Sequence, residues 1–174
     1  MKNMAAAERR RRRFCSFCGE QLKRVSRGGR MRLYCSSCDT VHYENPLPAT
    51  AALVLKGDED LLLVRRGMEP GKGKWGLPGG FVEAGEAPSE GVLRELKEET
   101  GLIGEVERLI DVLYEDSPFY GPLIIIGYKV IPQGGDLLAG DDAVEVRYFP
   151  LNGLPRVAFD SHMTLIEEIE RMGA

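Results

Sequence analysis

All four cysteines of the chain, Cys15, Cys18, Cys35 and Cys38, fall in one short stretch near the amino end. They read C-x2-C, then 16 residues, then C-x2-C, the spacing of a four-thiolate zinc site. Two residues between cysteines suit a shared tetrahedral ion better than two separate bridges; the alternative, a pair of disulfides, is disfavoured in a reducing compartment. Gly28-Gly29 marks a hairpin turn between the two cysteine pairs. So short a segment cannot bury much apolar surface, so its folding energy has to come from the metal, and four thiolates leave no open position for catalysis. His42 can be read as a spare ligand, but an ordinary linker residue is the plainer reading. Glu44-Asn45-Pro46-Leu47-Pro48 forms a stiff connector, because both prolines favour extended chain. The expected layout is a basic tail over 1–13, a zinc ribbon over 14–45 and a second domain over 49–174.

Charge divides at the same place. The net charge of −4 over 174 residues combines +7 for residues 1–45 with −11 for the remainder. The basic amino end can attract a polyanion, although the Arg9–Arg13 run reads more simply as a solvated tail. An acidic domain that handles phosphates needs cations in between, which is a first pointer to metals. No apolar run approaches the roughly 20 residues of a membrane helix. The basic start is followed by no apolar stretch, so it is not a secretion signal, and a cytoplasmic protein is expected.

Beyond the connector, apolar runs at Ala49–Leu55 and Leu61–Arg66 flank a turn, a hairpin signal. Val106–Tyr114, Leu123–Ile131 and Val144–Phe149 predict further strands. Pro88–Thr100 predicts a helix with proline in its first turn and Gly101 just past its end, and Ser161–Met172 predicts an amphipathic one. The mixture implies an α/β or α+β sandwich built on a mixed sheet.

Gly80–Leu102, GFVEAGEAPSEGVLRELKEETGL, carries the chemistry. On the predicted helix Val92, Leu93 and Leu96 share a core-facing stripe. Glu95, Glu98 and Glu99 lie beside it at spacings that reach a common point, and Glu86 can add a fourth carboxylate. A glutamate-rich face is ordinarily a solvated one. Here, however, Glu98 and Glu99 occupy the last turn, where the helix dipole opposes negative charge by roughly 0.3–1 kcal/mol each. Repeated local conflict of this kind marks functional sites, and Mg²⁺ or Mn²⁺ resolves it because hard cations take carboxylate oxygens. The preceding Trp75-Gly76-Leu77-Pro78-Gly79-Gly80 offers backbone that a ligand can approach closely.

The segment resembles the box of the Nudix hydrolase family, G-x5-E-x7-R-E-U-x-E-E-x-G-U with U aliphatic. Gly80, Glu86, Arg94, Glu95, Leu96, Glu98, Glu99, Gly101 and Leu102 fill every defined position. The resemblance implies an α/β/α sandwich with a loop–helix–loop box over 80–102. It implies hydrolysis of a nucleoside diphosphate linked to another group. By position, Glu95, Glu98, Glu99 and the Gly80 carbonyl would bind Mg²⁺ or Mn²⁺, Glu86 would assist, and Arg94 would orient the carboxylates. Glu98 is the first candidate for the base that deprotonates water, and Glu145 the second. Arg65, Arg66 and Lys74 are candidates for phosphate oxygens, with plain surface charge as the alternative. Phe159 and Asp160 are candidates for a base, with Phe159 as a helix anchor equally in play.

The substrate is less legible. The ribbon suits NADH pyrophosphatases, but the stretch Asp111–Phe119 departs from the proline-rich motif those enzymes carry after the box. Pro118 points toward ADP-ribose enzymes and Tyr120 toward diadenosine polyphosphate enzymes. The arrangement of ribbon, Tyr43–Pro46 connector and Ala158–Ser161 is similar to enzymes acting on FAD and ADP-ribose, which are favoured. NADH, NAD-capped RNA and diadenosine polyphosphates remain alternatives, and a homodimer is left open. A different class is a nucleic-acid-binding regulator whose second domain senses a nucleotide. The ribbon is basic (Lys23, Arg24, Arg27, Arg30, Arg32), yet it lacks the aromatic interleaving of a single-strand platform, although Phe14, Phe17 and Tyr34 are nearby.

Overall fold

A computed structural model describes residues 12–57 and 59–173. Most of the basic tail, residues 1–11, therefore lies outside the described residues. The chain divides into two compact units. One runs to Pro46 and includes Asp116–Pro122; the other comprises Leu47–Glu115 and Leu123 onward.

The first unit is built on a three-stranded sheet of order β1 (Lys23–Arg27), β2 (Arg30–Cys35) and β3 (Thr40–His42). Both pairings are antiparallel, and β1 turns into β2 at Gly28-Gly29, as the glycine pair predicts. The interior of its ribbon is small: among the described residues up to Pro46, Cys15, Leu33, Cys35 and His42 are the buried ones.

In the second unit β4 (Leu47–Leu53) pairs in parallel with β9 (Gly121–Gly135), which pairs with β8 (Leu102–Ser117) across a tight turn. At Val54 the chain leaves that sheet, and β5 (Leu55–Lys56) joins a second one. There β6 (Asp60–Arg66) lies between β10 (Ala143–Pro150) on one side and β5 and β7 (Trp75–Gly76) on the other. β8 and β9 run well beyond the cores predicted at 106–114 and 123–131.

Every residue of Ala49–Leu53 is buried, as expected of a parallel strand covered on both faces. Helix α1 (Pro88–Thr100) and helix α2 (Asp160–Arg171) both pack on β4, so the sheets form the middle of an α/β/α sandwich. Ala52, Val54, Leu62, Val92, Leu96, Leu102 and Val130 join α1 to both sheets in one core. Among the described residues no helix is long and apolar enough to cross a membrane.

The interior of this unit contains one imidazole. His162 of α2 is buried, and its Nδ1 accepts the Leu77 N–H at 3.0 Å. Burial, with the Arg66 charge behind it, pushes its pKa down to about 3 from 6.5. The fold thus holds the neutral ring. Its contribution is complete above pH 6.5 and is lost as pH falls toward 3, at roughly 1.4 kcal/mol per pH unit at most. The His162 imidazole resonances are therefore expected to stay at their neutral positions from pH 8 down to about 5. A midpoint near 6.5 in that titration would show that the ring is not held as described.

Candidate functional site

The ribbon brings its four thiols to one point. Cys15 and Cys38 Sγ are 4.0 Å apart, Cys18 and Cys35 Sγ are 3.5 Å apart, and all four lie within 4.8 Å of one another. Zinc–sulfur bonds of about 2.3 Å in a tetrahedron separate sulfurs by about 3.8 Å. The cluster fits that ion, and its members are free thiols, not disulfides. The Phe17 and Cys38 amides donate to Cys15 and Cys35 Sγ, each at 3.4 Å, as thiolate-holding turns should. Together the thiols compete for charge. Burial raises the Cys15 pKa, yet the Phe17 and Cys18 amides and His42 bring it down to about 6. The neighbouring Cys18 sulfur, then burial, pushes Cys38 up to about 12. A dication would remove that competition.

His42 is not the linker residue expected. It ends β3, is buried, and its Nε2 lies 3.3 Å from Cys15 Sγ. Arg12 Nη1, always a donor, reaches His42 Nδ1 at 3.0 Å. The ring proton therefore sits on Nε2 and is donated to Cys15. This is outer-sphere support of a ligand, not a fifth ligand.

In the second unit the Gly-rich loop runs along the free edge of β4. The Thr50 amide donates to Gly80 O at 2.8 Å and the Ala52 amide to Pro78 O at 2.7 Å. At φ 152° Gly79 lies so close to β4 that a Cβ would stand 2.1 Å from Thr50 O. Gly79→Ala is expected to destabilise the fold by about 3 kcal/mol or more in urea unfolding, because backbone would have to move on both sides. A loss under about 1 kcal/mol would show that the loop can yield there. At Gly80 a Cβ would meet Glu95 Oε1 at 2.5 Å, so the glycine makes room for that carboxylate.

Two carboxylates, Glu95 and Glu99, meet this loop, and Arg94 links Glu86 and Glu98 to Glu95. Arg94 Nη1 donates to Glu95 at 2.8 Å and to Glu98 at 2.9 Å, while Nε and Nη2 hold Glu86 at 3.1 and 2.9 Å. Arg94 Nη2 also reaches Phe81 O at 3.1 Å. The Arg94 hydrogen bonds hold the Glu86 carboxyl down to about 2. Glu99 is different: only 5% exposed, on the buried stripe with Val92 and Leu96, it accepts the Gly79 N–H at 2.9 Å. Burial, opposed by that amide, raises its pKa to about 7. Burial also raises the Glu95 pKa. With their oxygens turned to Arg94 and Gly79, these groups are not gathered on one point; among the described residues only the cysteines are. The donor set nevertheless suits a hard cation: four carboxylates, three of them on the Arg94 guanidinium, beside the Gly80 carbonyl.

The other candidates separate. Arg65 and Arg66 are neighbours on β6 and so face opposite sides of the sheet. Arg66 Nε donates to Pro70 O at 2.7 Å, and its guanidinium lies 5.2 Å from the Phe159 ring, whose edge meets His162. Phe159 thus serves partly as an anchor for α2. Lys74 pairs through its backbone with Arg66, so these three share a neighbourhood. Asp160 is exposed at the first position of α2. Arg65 pairs with Glu145 at 2.9 Å, and Arg147 takes the other oxygen of Glu145 at 2.5 Å. Arg147 also lies 5.9 Å from Trp75 and 5.6 Å from Phe149, whose rings meet edge to face. This aromatic–guanidinium cluster was not expected; alternation of Glu145, Arg147 and Phe149 along one strand was the available signal.

The NUDIX domain model matches residues 45–167, and the Nudix N-terminal zinc ribbon model matches 13–44. The chain belongs to the Nudix hydrolase family. It is 45% identical over 130 residues to the ADP-ribose pyrophosphatase of Methanocaldococcus jannaschii, covering 74% of this chain and 76% of that one. It is 31% identical over 144 residues to the NAD-capped RNA hydrolase NudC of Stutzerimonas stutzeri, covering 82% of this chain but only 50% of that protein. Among solved structures, a NUDIX hydrolase from Nitrosomonas europaea matches with a TM-score of 0.79 at 29% identity, over 92% of both chains.

Proposed function

We propose that the chain hydrolyses the diphosphate bond of an ADP-ribose-type substrate, releasing a nucleoside monophosphate and a phosphorylated remainder. The observation that carries this is the placement of Glu99 and Glu95 against Gly79 and Gly80, with Arg94 tying Glu95 to Glu98 and Glu86. The relative named an ADP-ribose pyrophosphatase supports the substrate class.

In this reading Glu95, Glu98, Glu99 and Gly80 O would hold Mg²⁺ or Mn²⁺, with Glu86 in support. A bound dication offsets diphosphate charge and acidifies water. Glu98 would accept the water proton, a role that its 46% exposed side chain supports. Glu145 has each oxygen on a guanidinium and is not open to that proton. Arg94 keeps the carboxylates in position. Arg66 and Lys74 bind phosphate oxygens, with Phe159 and Asp160 beside them for the nucleoside. Arg65, tied to Glu145, is left to the opposite face of the sheet.

The test is a panel of ADP-ribose, FAD, NADH, diadenosine polyphosphates, nucleoside triphosphates and NAD-capped RNA with Mg²⁺, with products identified by mass. AMP and ribose 5-phosphate from ADP-ribose, at the highest kcat/KM of the panel, is the expected result. A preference for NAD-capped RNA would favour the second reading, which the NudC relatives motivate although this chain spans about half their length. No hydrolysis of any member would overturn the proposal.

A further inference from the structure

The ribbon carries a surface that zinc binding does not explain. Cross-strand register places Lys23 opposite Tyr34, Val25 opposite Arg32 and Arg27 opposite Arg30. Residues directly opposite share a face of the sheet, so Lys23, Arg27, Arg30, Arg32 and Tyr34 all project from one side. The β2–β3 register runs Leu33 with His42, so the next step sets Arg32 against Tyr43. Arg32 indeed lies over the Tyr43 ring at 5.0 Å, and Arg27 over the Tyr34 ring at 5.2 Å. The opposite side holds Leu33 and His42, buried with the thiols, and Arg24.

The interleaving of cations and rings that is absent along the chain is therefore present across the strands. Neither β1 nor β2 contains an acidic residue. The nearby acid Asp39 accepts the Tyr34 hydroxyl at 2.6 Å, which fixes that ring's plane. Tyr43 is 60% exposed, and Lys23, Arg27 and Arg30 are exposed as well.

We propose that this face binds single-stranded nucleic acid: Lys23, Arg27, Arg30 and Arg32 take backbone phosphates, while Tyr43 and Tyr34 stack on unpaired bases. The four cations lie in three cross-strand rows about 7 Å apart, Arg27 with Arg30, Arg32 with Tyr43, and Lys23 with Tyr34, so that rings stand beside cations in two of the three. A membrane surface would call for large apolar side chains beside the lysine and arginines, and this face has only Val25 and Val41. An acidic peptide would match the charge but make no use of the rings. The inference does not depend on the hydrolytic site.

The experiment uses the full zinc-loaded chain and fluorescence anisotropy with a labelled oligouridine, the corresponding duplex and heparin. Oligouridine is expected to bind in preference to the duplex, with a log–log salt slope of about −3 for four phosphate contacts. Tyr43→Ala should weaken oligouridine about tenfold while leaving heparin unchanged. Arg30→Ala should reduce the slope by about 0.7, and Arg24→Ala, one charge on the other side of the same hairpin, should not. Zinc content and ADP-ribose turnover report that each variant is folded. Equal losses from Arg24→Ala and Arg30→Ala, indifference to Tyr43→Ala, or no oligouridine binding at low salt would each overturn the proposal. The first two outcomes would move the contact to unspecific charge, including the arginine run that precedes the ribbon.

Discussion

Glu98→Gln is expected to lower kcat by about 10²–10⁴ with little change in stability. Glutamine keeps the length of the side chain and an oxygen for Arg94 Nη1, which now lies 2.9 Å from the carboxylate. The side chain is nearly half exposed, so no core packing is disturbed. What disappears is an anionic oxygen able to hold a cation or take a proton from water. Steady-state kinetics on the best substrate of the panel, beside urea unfolding of both proteins, separates the two effects. Glu145→Gln serves as the comparison and is expected to cost less than about tenfold, since its carboxylate is engaged by Arg65 and Arg147. Turnover of Glu98→Gln within a few-fold of the parent would remove Glu98 from the chemistry. A larger loss in Glu145→Gln would reverse the two roles.

The second large effect belongs to the ribbon. Structural zinc contributes on the order of 10–16 kcal/mol of apparent binding energy at pH 7, far more than a segment with four buried residues can recover from packing. Cys35→Ser removes a fully buried ligand that also accepts the Cys38 amide. The variant should lose its zinc, and the amide signals of residues 13–46 should collapse to unfolded positions. The second unit has its own core of Ala52, Val54, Leu62, Val92, Leu96, Leu102 and Val130. Its cooperative unfolding transition and its Mg²⁺-dependent turnover should persist. Full zinc content by metal analysis, or dispersed ribbon amides without zinc, would show that the ion is not what folds this segment.

What could be seen in the linear chain follows from how local each feature is. The cysteine spacing and the glutamate-rich helix are set within a few residues, and both stand where they were expected. A sandwich on a mixed sheet was also legible, because hydrophobic periodicity and the Pro88 and Gly101 signals act locally, whereas its α/β/α layering was an expectation from the resemblance of the box. Glu99 shows the limit. Helical spacing puts it beside Glu95 and Glu98, but its burial depends on the loop at Gly79 packing over it. Arg65 and Arg66 were grouped as neighbours, whereas strand alternation sends them to opposite faces. The linking of Glu145 to Arg65, and of Trp75 to Phe149, depends on pairing between segments far apart in the chain. His42 was misread for the same reason: only the β2–β3 register brings it to Cys15.

The hydrogen bonds from Thr50 and Ala52 to the glycine loop have a consequence for evolution as well as for mechanics. A segment stitched to the buried stretch Ala49–Leu53 cannot swing open to admit a bulkier substrate. The ion-holding carbonyl and carboxylates would then work as an invariant chassis, and new specificities would have to arise at its periphery, around Arg66, Lys74 and Phe159. Relatives with divergent substrates should accordingly superimpose at residues 78–99 and drift apart there.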